Sequence, residues 1–148
     1  MKRQIVVLAV SSAILAMVSA PLAAQDLAGD WQFKRLARNG YHTGTIVIDK
    51  NGQARMSGRS PIQNYSQSGH VTIAGDKVEI VFTSVKSTLG YSADRFYCTV
   101  RCEGVLRCFN VDGYGKEDDL FRVERMGRAP PPAGQKDDDC PVRERPQV

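Results

Sequence analysis

The stretch Gly44-Thr45-Ile46-Val47-Ile48-Asp49-Lys50-Asn51-Gly52-Gln53-Ala54-Arg55-Met56-Ser57-Gly58 decides the fold class. Apolar and polar residues alternate on both sides of Lys50-Asn51-Gly52, the period of a strand with one buried face. A three-residue loop with Gly52 in the left-handed conformation closes such a hairpin. It sets Asp49 against Gln53, Ile48 against Ala54 and Ile46 against Met56, leaving Val47 and Arg55 on the other face. A two-residue Asn-Gly loop would set Ile48 against Arg55, and a one-residue slip exchanges the two faces of a strand. The three-residue loop is therefore expected.

Working outward, Val71 to Ala74 and Lys77 to Phe82 form a second hairpin around Gly75-Asp76, with Ile73 facing Val78, Val71 facing Ile80 and Thr72 facing Glu79. Trp31 and Phe33 alternate with polar residues, as do Phe96 to Cys102, Leu106 to Val111, and Phe121 to Glu124. Strand signals recur about every 10 residues with turn residues between them. The fold class expected is all-β: about eight antiparallel strands in sequence, closed into an up-and-down barrel that leaves no free edge. Two long polar connections, 58–69 and 84–95, are expected at the barrel mouth. Long mouth loops often carry binding, and Tyr65, Tyr91 and Arg95 within them are the candidate ligand- or partner-binding residues, Tyr and Arg being favoured at hot spots.

The ends of the chain read differently. Lys2 and Arg3, the apolar run Ile5 to Ser19, and small residues up to Ala24 have the layout of a cleaved signal peptide over 1–24. The apolar run is short for a membrane span, so no stable membrane insertion is expected after cleavage. The expected organisation is then a β-barrel domain over 25–127 and a Pro-rich, charged tail over 128–148. The whole chain carries 20 basic and 16 acidic residues; losing Lys2 and Arg3 leaves 18 against 16. So mild a surplus, with alternating signs and no basic block interleaved with aromatics, argues against a nucleic-acid partner.

Four cysteines, Cys98, Cys102, Cys108 and Cys140, lie late in the chain. An even count in an exported chain points to two disulfides and to the periplasm or the exterior. Three pairings are open; Cys102–Cys108 with Cys98–Cys140 is the one favoured here, the second bond pinning the tail. The cysteine spacing does not match a zinc site. The acidic turn from Asp112 to Asp119 places Tyr114 and Lys116 where a calcium loop wants oxygens. No metal and no cofactor are expected.

The mature start, Asp26-Leu27-Ala28-Gly29-Asp30-Trp31, resembles the Gly-x-Trp opening of lipocalin-like (calycin) barrels. The resemblance implies that Trp31 plugs one end of the barrel. It also implies a basic residue late in the last strand across the ring, and Arg125 stands at that place. Small exported bacterial barrels that inhibit secreted proteases share the size, leader and Gly-x-Trp start, although their bridge lies early. These features lead to an exported, non-enzymatic binding module. It would dock on an envelope or secreted protein, including as a hydrolase inhibitor, or hold a small apolar ligand. Two alternatives stand beside it: a small periplasmic hydrolase or isomerase using His42 or His70, each read as a solvated loop or strand-end residue, and a structural envelope protein. No catalytic residue is assigned, since no nucleophile with a base is recognisable.

Overall fold

The structure is a computed structural model, and residues 22–116 and 119–127 are described. Nearly all of the leader expected over 1–24, and the tail expected over 128–148, lie outside the described residues. A single helical turn α1 (Ala24–Leu27) precedes nine strands: β1 (Gly29–Ala37), β2 (Gly40–Ile48), β3 (Gln53–Arg59), β4 (Asn64–Ala74), β5 (Lys77–Ser87), β6 (Arg95–Cys102), β7 (Val105–Asp112), β8 (Gly115–Lys116) and β9 (Phe121–Arg125). Each strand from β1 to β7 pairs antiparallel with the next, β7 pairs with β9, and β9 returns to β1. Eight strands therefore close into an up-and-down barrel, and the two-residue β8 is a short ribbon on β7.

Both hairpin registers are those the alternation dictates. Ile48 faces Ala54 and Ile46 faces Met56 across β2–β3, with Gly52 at φ 81°. Ile73 faces Val78 and Val71 faces Ile80 across β4–β5. The interior side chains include Trp31, Phe33, Ile46, Met56, Ile80, Phe96, Leu106, Phe121 and Val123. Phe96 meets Phe33, Phe82 and Phe121 edge-on, with ring centroids 5.5, 5.8 and 5.0 Å apart, an arrangement suited to ring quadrupoles.

The wall turns its corners at glycine. Gly58 faces inward beneath the Tyr65 ring, and a Cβ there would strike that ring. At Gly69, beside a register shift in β4, a Cβ would strike the Val81 carbonyl. Close approach of a ring or backbone to a bare glycine is how a small barrel bends.

Two expectations are corrected. The polar connections are shorter than read: β3 runs to Arg59 and β4 begins at Asn64, while β5 runs to Ser87. Those strand ends carry Gly58, Gln67 and hydroxyl residues where an apolar alternation would have marked them. The disulfide joins Cys98 to Cys108, not Cys102 to Cys108 or Cys98 to Cys140. Cys98 and Cys108 stand directly opposite in the β6–β7 ladder, with Cα atoms 4.0 Å apart. Cys102 lies past a register shift, opposite Val105. It is about 10 Å along the ladder from the level of Cys108, by the rise of a strand.

Candidate functional site

The barrel has two unlike ends. At one, Trp31 is buried and donates its Nε1–H to the Leu27 carbonyl at 2.9 Å. The Arg125 guanidinium lies 4.6 Å over the Trp31 ring and donates to the Ala28 and Asp26 carbonyls. This end is a plug. The other end carries the β1–β2, β3–β4, β5–β6 and β7–β9 connections, and its interior is polar.

Arg35 continues the inward row of Trp31 and Phe33 on β1 and is 1% exposed. Its Nη2 donates to Asp94 Oδ1 at 3.1 Å and to the Tyr91 hydroxyl at 2.8 Å. Asp94, also 1% exposed, sits just before β6. It accepts from Gln67 Nε2 at 2.6 Å and from Asn110 Nδ2 at 2.7 Å, and its own backbone N–H donates to Gln67 Oε1 at 2.9 Å. Both Asp94 carboxylate oxygens are thereby occupied, which offsets the cost of burying the charge.

His42, on the inward face of β2, caps the network. Its Nδ1 lies 3.0 Å from the Tyr91 hydroxyl and 3.3 Å from that of Tyr65, while Nε2 is 2.8 Å from Asn39 Oδ1. The amide oxygen can only accept, so Nε2 carries the proton and Nδ1 accepts from tyrosine. The Tyr65 and Tyr91 rings stack with centroids 4.0 Å apart. Burial, helped by the Arg35 charge, lowers the His42 pKa to about 4. Burial pushes the Tyr65 and Tyr91 hydroxyls up, and it raises the Asp94 carboxyl although Arg35, Gln67 and Asn110 hold it back. His42 and the two tyrosines are neutral at pH 7 and form a hydrogen-bonded floor beneath the mouth.

Above the floor opens a cleft of about 560 Å³, lined among others by Asn39, His42, Ser60, Gln63, Tyr91 and Asp112. Ile62, Leu89 and Tyr114 stand on its rim, 65%, 64% and 76% exposed. The loops are braced to one another. Gln63 donates to the Gly90 carbonyl and accepts from the Leu89 N–H, each at 3.0 Å, and Arg38 donates to the Tyr114 carbonyl at 3.3 Å. A larger depression of about 790 Å³ runs over the outer wall of β2–β5 between Thr, Ser, Arg59 and Lys86 side chains, without the buried ion pair that underlies the mouth.

No family model and no curated protein matches this chain. Among solved structures it is similar to a de novo designed fluorescence-activating beta barrel, at 16% identity and a TM-score of 0.46, over 70% of this chain and 96% of that one.

The structure brings Tyr65 and Tyr91 together but separates Arg95 from them. Tyr65 is a buried wall residue rather than a loop residue, and Arg95 is on the outer face, where its Nη1 donates to the Tyr97 hydroxyl at 3.3 Å. His42 is buried within β2, whereas His70 is exposed on β4 opposite Val81. Sequence reasoning missed Arg35, Gln67, Asp94 and Asn110. The available signal was parity: Arg35 shares the face of Trp31 and Phe33, and Asn110 that of Leu106 and Cys108. Asp112, in the acidic turn, accepts from Ser92 Oγ at 3.3 Å and from the Tyr114 N–H at 2.7 Å, as a turn-forming aspartate does. Among the described residues, no three His, Cys, Asp or Glu side chains cluster as metal ligands would.

Proposed function

We propose that this chain is an exported binding module that docks through the open end of its barrel on an envelope or secreted protein. The observation that carries this reading is the rim. Ile62, Leu89 and Tyr114 project from three different connections around one cleft. Exposed apolar groups gathered in one place mark interaction surfaces, whereas scattered ones are ordinary. The braced loops and the buried floor fix the rim in advance, which lowers the ordering cost of association. The Cys98–Cys108 bond and the leader-like start support an oxidising, exported setting. Inhibition of a secreted hydrolase is one form such docking takes.

The cleft supports a second reading. Its volume lies within the range of small-ligand sites, about 300–1,000 Å³, and its floor offers the stacked Tyr65–Tyr91 pair. The barrel centre is occupied by phenylalanines, so an apolar molecule would sit in the mouth.

The test compares the wild-type mature chain with the combined variant Ile62→Ser, Leu89→Ser, Tyr114→Ser, both immobilised and exposed to envelope extract and culture fluid. Docking through the rim predicts one protein held stoichiometrically by the wild type. The variant, with an unchanged far-ultraviolet spectrum, should hold it at least 30-fold more weakly, since anchors of this kind contribute about 2 kcal/mol or more. Equal retention by the variant would overturn the reading. A co-purified lipid in place of a protein would favour the second.

A further inference from the structure

Charge is spread unevenly around the barrel. Strands β1 to β4, Gly29 to Ala74, hold six basic and two acidic residues, whereas Gly75 to Gly127 hold eight basic and nine acidic. Of the six, only Arg35 faces inward to an anion, Asp94. Both acids lie at the plugged end: Asp30 opposite Val47, and Asp49 in the β2–β3 turn, where it accepts from the Asn51 and Gln53 N–H groups. Towards the mouth, the outer wall of β1 to β4 therefore presents cations without carboxylates. It is also concave there. Gly44 and Gly58 stand opposite each other in the β2–β3 ladder, and a Cβ on either would strike the Phe33 or Tyr65 ring inside. The bare backbone settles onto these rings, and the outside sinks into the depression of about 790 Å³. We infer that this depression binds an acidic glycan, a hydroxyl-rich chain bearing carboxylate or sulfate groups.

The ladders set the lining in rows. Thr45, Ser57, Ser66 and Lys86 stand side by side across four strands, and Thr43 stands beside Arg59. Arg59 Nε donates to Asn64 Oδ1 at 3.2 Å, which steadies the guanidinium, and Lys86 is exposed with no carboxylate partner among the described residues. The two cations are about 12 Å apart by strand spacing and rise, too far to share one compact oxyanion. A ligand that engages both carries its anionic groups on separate units. The hydroxyl row between the cations matches the hydroxyls of such units, and the guanidinium fork takes an oxyanion bidentately. A protein partner is met by aromatic or apolar anchors, whereas the outward side chains here are hydroxyl, amide or cationic. Single-stranded nucleic acid stacks on aromatic platforms, and Tyr41, the exposed ring beside this face, already carries the Lys34 ammonium at 4.5 Å. A membrane surface is flat and does not reach into a concavity. The site lies outside the mouth cleft, so the inference stands or falls independently of docking through the rim.

Biolayer interferometry of the purified exported chain on immobilised oligogalacturonate, dextran sulfate and neutral dextran tests this. The expected result is salt-sensitive binding to at least one of the two acidic glycans and none to neutral dextran. Arg59→Gln with Lys86→Gln should weaken that binding at least about tenfold, the loss of one charge-assisted bond or more. Lys50→Gln with Lys77→Gln removes the same charge from two turns at the plugged end and should leave it unchanged. All four side chains are exposed, and a far-ultraviolet spectrum checks that each variant folds. No binding to either acidic glycan, or equal weakening by the two pairs of substitutions, would overturn the site. Tighter binding to single-stranded DNA or to phosphatidylglycerol vesicles than to either glycan would overturn the occupant.

Discussion

At the plugged end, Trp31 is buried in the core beneath the Arg125 guanidinium and has one donor, which Leu27 satisfies. At the open end, Arg35, the next inward position after Phe33 on the same strand, sits among Asp94, Gln67, Asn110 and Tyr91. The first end combines apolar burial of one ring with a few bonds from Trp31 and Arg125 to backbone carbonyls. The second is held by directional bonds, which lose their value when one partner is removed. An apolar filling of equal volume would often be as stable as a buried ion pair, or more so. What the polar filling adds is position: Asp94 terminates the β5–β6 connection, so fixing its carboxylate fixes the loop that bears Leu89 and Tyr91.

The largest effect expected is at that ion pair. Asp94→Ala leaves the Arg35 charge buried without its anion and should cost about 3–5 kcal/mol in denaturant unfolding. The double change Arg35→Met with Asp94→Leu should recover most of that stability yet loosen residues 88–93, seen as faster amide exchange there. A double variant with wild-type exchange in this loop would show that the pair does not position it.

The next effect concerns pH and separates the ends more finely. The folded state holds His42 near pKa 4, against about 6.5 when unfolded. Between these values the unfolded chain takes up the proton first. The stability due to neutral His42 is thus full above pH 6.5 and is lost as pH falls through 4. A loss of about 1–3 kcal/mol by pH 4 is expected from this group. The variant His42→Gln should flatten the pH profile of unfolding over that window. Equal slopes for His42→Gln and the wild type would refute this account of the cap.

The smallest effect belongs to the plug. Arg125→Ala removes the guanidinium above Trp31 and should cost about 0.5–2 kcal/mol. Thermal unfolding followed by Trp31 fluorescence, the chain having a single Trp, reads it directly. A cost as large as that of Asp94→Ala would erase the contrast between the ends.

The amino-acid sequence by itself determined the closed barrel and the registers of two hairpins. Alternation has a period of two, and a misplaced register would bury Arg55 or expose Ile48. The Trp31 end was legible through the Gly-x-Trp resemblance carried by Gly29-Asp30-Trp31 together with Arg125. Tertiary structure alone decided the polar end, because Arg35 and Asp94 are 59 positions apart, and their meeting depends on barrel closure rather than on any neighbouring residue. It also decided the cysteine pairing. Spacing along a chain gives no strand level, and the one-residue shift past Val100 puts Cys98 opposite Cys108, where the Cys102–Val105 register continued unbroken would put Thr99. His42 was misread for a related reason: in Asn39-Gly40-Tyr41-His42 the turn is two residues tighter than the polar composition suggests, so a side chain that looked solvated points into the barrel.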